Sequence, residues 1–203
     1  AAGDGALLWE KRYNGPANAD DSAAAVTVDG SGNVVVTGES HNGSNFDYYT
    51  AKYAAGDGLL LWEKRYNGPA NFNDYVHGVV VDGSGNVVVT GESHNGVSDN
   101  PSSDYYTAKY AAADGILLWE RRYNGPANGS DFVQDVTVDG NGNMVVTGYS
   151  YNGSNSDYYT AKYAAVNGTL LWEKRYNGPA NDDDSAVAVA VDGSGNVVVT
   201  GYS

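Results

Sequence analysis

The sequence predicts an all-β fold, a β-propeller of four-stranded antiparallel blades with about four repeats in this chain. First, one unit recurs along the chain: Trp9, Trp62, Trp119 and Trp172 are spaced 53, 57 and 53 residues apart. A repeat of this length with four strands is typical of propellers. Second, 27 glycines and 17 tyrosines among 203 residues indicate many tight turns and aromatic strand positions. Third, no segment has apolar residues at helical spacing, so no helix is expected.

Turn sequences divide each repeat into four strand-like segments. Turns rich in Asp, Gly and Asn, such as residues 29–33 and 56–58, favour hairpins because these residues adopt positive φ at little cost. In the first repeat the predicted strands are residues 7–13, 22–28, 34–38 and 47–53.

Side-chain size predicts the order of these strands within a blade. Propeller blades converge at the central axis, so the inner strands need small side chains and the outer strands accept large ones. Residues 22–28 are mostly Ala, Val and Thr, which places them innermost (strand A). Residues 34–38 follow as strand B and the tyrosine-rich residues 47–53 as strand C. The Leu-Leu-Trp segment 7–13 is the outermost strand D.

The repeats resemble the SBBP repeats of bacterial β-propellers. Three motifs carry this resemblance: Val-Asp-Gly-Ser-Gly-Asn-Val-Val-Val-Thr-Gly at 81–91, Asp-Tyr-Tyr-Thr-Ala-Lys-Tyr at 104–110 and Leu-Leu-Trp-Glu-Lys-Arg-Tyr-Asn-Gly at 60–68. The similarity covers the whole chain. It implies a propeller, often secreted or at the cell surface, and no shared reaction. The segment from Asp57 to Trp62 also resembles the Trp-docking motif of quinoprotein-type propellers.

We expect residues 1–203 to form a single propeller repeat domain whose terminal blade is split between the two ends. The outer strand of that blade is at 7–13, its A and B strands are at the C-terminus, and one C strand, the equivalent of 41–53, is absent. Two interpretations remain open. The chain is part of a seven- or eight-bladed ring, completed by a longer repeat array or a homodimer, or it closes as a four-bladed monomer.

Composition excludes several classes of function. With 11 basic and 25 acidic residues the net charge is −14, which disfavours nucleic acid as a partner. No apolar run approaches the roughly 20 residues of a membrane-spanning helix, so we expect no membrane insertion. Without cysteine there is no disulfide framework and no thiolate chemistry. We expect no metal site and no cofactor, and an extracellular or cell-surface location.

Two recurrent features are expected to have structural roles. The tryptophans should lie in the core between diverging blades, because each buries a large area. Outer-strand glutamates should form cross-strand charge pairs with lysines of the C strands. The residues concerned are Glu10, Glu63, Glu120 and Glu173 with Lys52, Lys109 and Lys162.

Candidate ligand-binding residues lie in the D–A and B–C loops, which share one face of a propeller. One aspartate recurs just before each A strand, either as a ring of carboxylates for a cation or polar ligand or as a local cap on backbone N–H groups. Histidine, tyrosine and asparagine recur in the B–C loops. The candidates are Asp21, Asp74, Asp131, Asp184, His41, Asn42, His94, Asn95, Tyr151 and Asn152.

No catalytic residues are predicted. Catalysis needs an asymmetric set of groups within mutual reach, whereas near-identical repeats supply the same residues in every blade. His77, Gln134 and Asp135 vary between copies and could line a polar patch in the channel. The sequence therefore favours a non-enzymatic scaffold that binds protein or glycan through the D–A and B–C loop face. The alternatives are a multivalent lectin-like carbohydrate binder and a fragment of a propeller enzyme.

Overall fold

The computed structural model describes residues 3–96 and 102–203, and it contains only β-strands and turns. Across these residues there is no helix that could cross a membrane. The strands are β1 (Asp21–Val28), β2 (Val34–His41), β3 (Phe46–Tyr53), β4 (Leu60–Tyr66), β5 (Asp74–Val81), β6 (Val87–His94), β7 (Ser103–Tyr110), β8 (Leu117–Tyr123), β9 (Asp131–Val138), β10 (Met144–Tyr151), β11 (Ser156–Tyr163), β12 (Leu170–Tyr176), β13 (Ser185–Val191) and β14 (Val197–Tyr202).

The strands form three complete antiparallel sheets and one two-stranded sheet, each in chain order. Blade 1 is β1–β4, blade 2 is β5–β8, blade 3 is β9–β12, and the half-blade is β13–β14. The first strands of successive sheets pack side by side, β1 against β5, β5 against β9 and β9 against β13. The predicted propeller architecture, with the small-residue A strand innermost, is therefore confirmed.

The expected strand at residues 7–13 is wrong, because the structure assigns no strand there. Among the described residues no C strand lies beside this segment to pair with it. Leu7 and Leu8 are 74% and 72% exposed as a result. The segment nevertheless docks on blade 1: Trp9 Nε1 donates to the Ala55 carbonyl at 3.1 Å, and the Tyr13 ring stacks on Tyr49 with centroids 3.9 Å apart.

Each inner strand carries a β-bulge at the same point of the repeat. One residue of the A strand has no partner in the B strand, and the ladder resumes on its other side. Bulges bend a strand and redirect a side chain, so this position differs from the rest of the ladder. The bulged residues are Ala24, His77, Gln134 and Val187.

The core lies between the blades, as the diverging-blade geometry requires. One cluster joins blades 1 and 2 and includes Tyr48 and Trp62, and a second joins blades 2 and 3 and includes Tyr105 and Trp119. Both tryptophans are 6% exposed. Trp62 Nε1 also donates to the carbonyl of Ala112 in the next blade at 3.2 Å. Trp62 and Trp119 are therefore core residues that bind one blade to the next, whereas Trp9 and Trp172 are only partly buried.

The B-strand glycines Gly91, Gly148 and Gly201 each make room for a tyrosine of the preceding blade. A Cβ on Gly148 would collide with the carbonyl oxygen of Phe132 and lie 2.5 Å from the Tyr105 hydroxyl. At the previous interface, the Tyr48 hydroxyl donates to the Glu92 carbonyl at 3.3 Å. The φ of Gly148 is not in the left-handed region. The position therefore requires glycine because a larger side chain would not fit, and not because of its backbone conformation.

The expected Glu–Lys cross-strand pairs are also wrong. The register sets Lys109 opposite Trp119 and Glu120 opposite Ala108. Lys109 Nζ instead lies 2.7 Å from Asp82 Oδ2 in the A–B turn and donates to the Ala165 carbonyl of the next blade at 2.8 Å. Glu120 accepts a hydrogen bond from the Tyr106 hydroxyl at 2.7 Å.

The same arrangement joins Lys52 to Asp29 at 2.8 Å and Lys162 to Asp139 at 2.7 Å. Burial alone would raise the pKa of Asp82, but hydrogen bonds from Lys109 and Asn86 outweigh it and lower the pKa. The A–B and C–D turns, here named the turn face, are thus tied together by the same ion pair in every complete blade.

Replacing Gly148 with alanine should destabilise the chain by about 3 kcal/mol, because overpacking a closed site typically costs 1–3 kcal/mol and the added Cβ would meet backbone. Gly140→Ala is the matched control, since no atom lies within 4 Å of its added Cβ. Urea unfolding measures both. Equal midpoints for the two variants would contradict the packing described for Tyr105.

Lys109→Met should cost roughly 3–5 kcal/mol of stability, because it leaves the buried carboxylate of Asp82 without its counter-ion. The side chains of Lys109 and Asp82 are 3% and 5% exposed. Lys174→Met removes one charge from an exposed outer-strand position and should change stability by no more than about 0.5 kcal/mol. Thermal unfolding of both variants is the measurement, and a similar loss in both would argue against the buried ion pair.

Candidate binding face

The D–A loops and the B–C loops meet on one side of the blades, here named the loop face. Adjacent blades are linked there by their own loops. The amide of Phe46, at the start of β3, donates to Asn73 Oδ1 at 3.0 Å, and the amide of Ser156 donates to Asp183 Oδ1 at 2.8 Å. The loops of one blade therefore help to place those of the next.

The recurrent aspartates close the D–A loops from within. Asp74 Oδ2 accepts the Gly68 amide at 2.6 Å, and Asp131 Oδ2 accepts the Gly125 amide at 2.7 Å. The other two copies do the same: Asp21 accepts from Gly15 at 2.7 Å and Asp184 from Gly178 at 2.6 Å. Asp74 and Asp131 are 1% and 0% exposed, which is the geometry of a local cap. Within residues 3–96 and 102–203, no group of three or more acidic or His side chains is placed to hold a metal ion.

Carboxylates of neighbouring blades come close together beneath these loops. Burial, and then the charge of Asp131, raise the pKa of Asp104 to about 6. Burial likewise raises the pKa of Asp131 itself. The Oδ1 atoms of Asp104 and Asp131 have no hydrogen-bond partner. The interface between blades 2 and 3 therefore holds two partly uncompensated acids.

The B–C loop asparagines shape their own loops. Asn42 Oδ1 accepts the Ser44 amide at 2.9 Å while its Nδ2 donates to Asp47 Oδ1 at 2.9 Å. Asn152 repeats both contacts with Ser154 and Asp157, and Asn95 Nδ2 donates to Ser102 Oγ. The hydrogen bonds of these side chains are therefore made within their own loops.

Histidine and tyrosine of the B–C loops join a band of aromatic rings. The ring of His41 is edge-on to Phe46 with centroids 5.0 Å apart, and Phe46 lies 6.2 Å from Tyr75. Tyr75 in turn lies 6.1 Å from His94. The band crosses from blade 1 to blade 2. In blade 3 the corresponding loop tyrosine, Tyr151, packs over Gly129.

The inner edge of the loop face, here named the inner rim, differs from blade to blade. Tyr75 stands opposite Glu92 in blade 2, and Phe132 stands opposite Tyr149 in blade 3 with ring centroids 5.1 Å apart. The B-strand position of this pair is occupied by Glu39, Glu92, Tyr149 and Tyr202 along the chain.

A charged pair lies beside these rings. Nε2 of the bulged His77 lies 3.6 Å from Glu92 Oε1, and the interaction with this carboxylate raises the pKa of the histidine. Burial raises the pKa of Glu39. Glu92 Oε2 is buried with no hydrogen-bond partner. The inner rim thus combines acceptor oxygens with aromatic rings, an arrangement that suits cationic groups.

Sequence reasoning found His77 but not its surroundings. Asp135, expected beside His77 and Gln134 in a polar patch, instead accepts the amides of Val136 and Val189 at 2.9 and 2.8 Å and fastens β9 to β13. Glu39, Glu92, Tyr75 and Tyr149 were missed. The signal that could have found them was their variation at fixed positions of otherwise constant repeats.

The fold and its repeats define a β-propeller repeat protein. The family model described as outer membrane protein assembly factor BamB matches residues 51–203. That range is more than half of the chain, and the chain belongs to this family. Comparison with curated protein sequences found no match. Among solved structures, the crystal structure of BamB from Moraxella catarrhalis is similar at 13% sequence identity and a TM-score of 0.25, over 89% of this chain and 74% of that one.

Thermal stability should be higher at pH 5 than at pH 7.5. Because the pKa of Asp104 is about 6 in the folded chain and ordinarily 3.8, the folded state binds more protons between these values, so stability falls as the pH rises through them. Asp104→Asn should raise the melting temperature at pH 7.5, by about 2–4 °C for each kcal/mol of relieved repulsion. It should also reduce the difference between the two pH values.

Asp57→Asn, at an exposed site on the turn face, is the control for the change in net charge. Differential scanning calorimetry at both pH values measures the effect. If the two variants shift the melting temperature equally, net charge rather than the buried pair controls the pH dependence.

Proposed function

We propose that this chain is a non-enzymatic scaffold that binds a protein through the loop face, and that the bound segment is basic. The family is described as an outer membrane protein assembly factor, which supports a role in binding other proteins. The observation that carries the proposal is the inner rim. There the repeat changes from copy to copy and sets Glu39 and Glu92 beside the rings of Tyr75 and Tyr149.

The turn face provides the contrast. Its Lys–Asp pairs recur in every complete blade and bond inward at 2.7–2.8 Å. The inner rim instead keeps a buried carboxylate oxygen of Glu92 without a partner. A basic side chain from a bound segment would offset the negative charge of Glu39 and Glu92 and lie against the aromatic faces.

The lectin-like alternative has weaker support. It requires the B–C loop asparagines to face a sugar, whereas Asn42 and Asn152 are already bonded to Asp47 and Asp157 of their own blades. The partly buried rings of the aromatic band would be its stacking surface. A glycan array with Phe46→Ala as a control separates the two functions, because hits that this variant removes would favour carbohydrate.

The domain organisation and the location of the scaffold are also proposed, from the family and from the repeats. The motifs support SBBP-type repeats in a single domain over residues 1–203, with further repeats or a second copy adding blades to the ring. An exported location, at the cell surface or outside the cell, agrees with a family concerned with the outer membrane. Light scattering measures the mass of the chain in solution and tests this part of the proposal, because a second copy in the ring would double that mass.

A basic decapeptide of alternating Lys and Gly should bind the chain at low salt more tightly than its Glu–Gly counterpart, because the inner rim presents the carboxylates of Glu39 and Glu92 beside aromatic rings. The double variant Glu39→Gln/Glu92→Gln should weaken that binding by about tenfold, in line with loss of charge-assisted contacts of 1.5 kcal/mol or more. Fluorescence anisotropy with labelled peptides is the measurement.

Glu10→Gln/Asp114→Asn is the matched control, since it removes two charges from exposed positions away from the loop face. It should change the affinity by less than about twofold, the scale expected for screened surface charges. Equal weakening in both double variants would mean that the peptide responds to net charge alone, and the inner rim would then not be the binding site.

A further inference from the structure

A groove runs along the face of blade 1 that does not pack on blade 2, between the N-terminal segment and the sheet. Trp9 and Tyr13 form one wall, and Val36, Gly38 and Tyr49 form the other. The walls are mostly apolar and aromatic. The residues that line the groove lie between Trp9 and Tyr53 and include Glu39 of the inner rim. Its aromatic walls and Val36 are not part of the inner rim, so variants at Val36 test a segment bound in the groove separately from the proposed function.

The equivalent groove between blades 1 and 2 is filled by a tyrosine of a C strand. Tyr48 enters it with its ring 5.5 Å from Tyr66 and 5.6 Å from Tyr106. Its hydroxyl reaches the main chain above Gly91 and donates to the carbonyl of Glu92 at 3.3 Å. Tyr48 is 1% exposed.

The groove between blades 2 and 3 is filled in the same way. The ring of Tyr105 lies 5.7 Å from Tyr123 and 5.4 Å from Tyr159. Its hydroxyl lies above Gly148, where an added Cβ would be 2.5 Å away. The structure therefore shows twice which side chain this kind of groove accepts: the first tyrosine of an Asp-Tyr-Tyr-Thr-Ala-Lys-Tyr strand.

The groove on blade 1 has the same walls and no such tyrosine. Val36 is partly exposed, whereas its counterparts Val89 and Val146 are 0% exposed. The Tyr13–Tyr49 stack that borders the groove is already formed, as are the stacks Tyr66–Tyr106 and Tyr123–Tyr159 at the filled interfaces. Residues 7–13 belong to no ladder, so a strand laid beside them would find main-chain partners.

We propose that this groove binds an extended peptide segment with the chemistry of a C strand. The first tyrosine of the segment enters the slot above Gly38, and its main chain pairs with residues 7–13, as Tyr48 pairs with Tyr66 inside the chain. This is recognition by strand addition, in which the main chain supplies affinity and the side-chain slot supplies specificity. A folded second copy does not offer such a strand, because β3, β7 and β11 each lie between two partners.

A synthetic peptide with the sequence of residues 41–53, labelled at its N-terminus, tests the proposal by fluorescence anisotropy on the 203-residue chain. Binding should saturate at one peptide per chain. The peptide substitution Tyr48→Ala should weaken binding at least tenfold because it empties the slot. Tyr49→Ala is the matched control and should have little effect, since inside the chain this ring faces the preceding blade.

Two variants of the chain test whether the peptide binds in the groove. Val36→Lys sets a charge in the groove and should weaken binding at least tenfold, while Val198→Lys, at an exposed valine of β14, should not. Circular dichroism checks that both variants are folded. No saturable binding, equal effects of the two tyrosine substitutions, or a loss confined to Val198→Lys would overturn the proposal. So would self-association of the chain that Val36→Lys abolishes, because a second copy would then occupy the groove.

Discussion

The packing of this chain depends on the missing side chain of one glycine per blade. At Gly91 and Gly148 the B strand carries no Cβ, so a tyrosine hydroxyl from the preceding blade reaches the main chain. That contact sets how closely two sheets approach. The aromatic stacks and the docked tryptophans then bury their area at the same spacing. A side chain at either glycine would hold the sheets apart, and the rest of the interface would lose contact area with them.

The parts of the fold that sequence reasoning predicted are those determined locally. The Asp-Gly-Ser-Gly-Asn turn carries its own signal, because Asp29 accepts the amides of Ser31 and Asn33 at 2.9 Å. Strand order followed from side-chain size. The partner of Lys109 was not predictable, because a one-residue register irregularity after it decides which residues stand opposite each other. The predicted strand at residues 7–13 was wrong for a related reason, because a strand forms only when a neighbouring strand pairs with it.

The candidate site was harder to predict because repetition hides it. The aspartates, histidines and asparagines that recur were the natural candidates. In the structure Asp74 and Asn42 instead form hydrogen bonds that stabilise their own loops. The variation lies at rim positions such as Glu92 and Tyr149, which no motif marks. Only the three-dimensional structure brings these residues of different repeats to one edge. Recurrence in a repeat protein thus indicates the scaffold, and departures from recurrence indicate where one blade differs in role.

The two binding surfaces share Glu39 but depend on different interactions, so different measurements distinguish them. The inner rim offers charge and aromatic faces, so its affinity should fall with salt. The groove on blade 1 offers a main-chain edge and an apolar slot, which salt affects little. The molecule also supplies its own comparison for the groove: Val89 and Val146 show how that position looks when a tyrosine strand covers it, and Val36 shows it uncovered. Equivalent walls bury the rings of Tyr48 and Tyr105 at two interfaces. The proposed preference of the groove on blade 1 for a tyrosine ring follows from the similarity of the repeats.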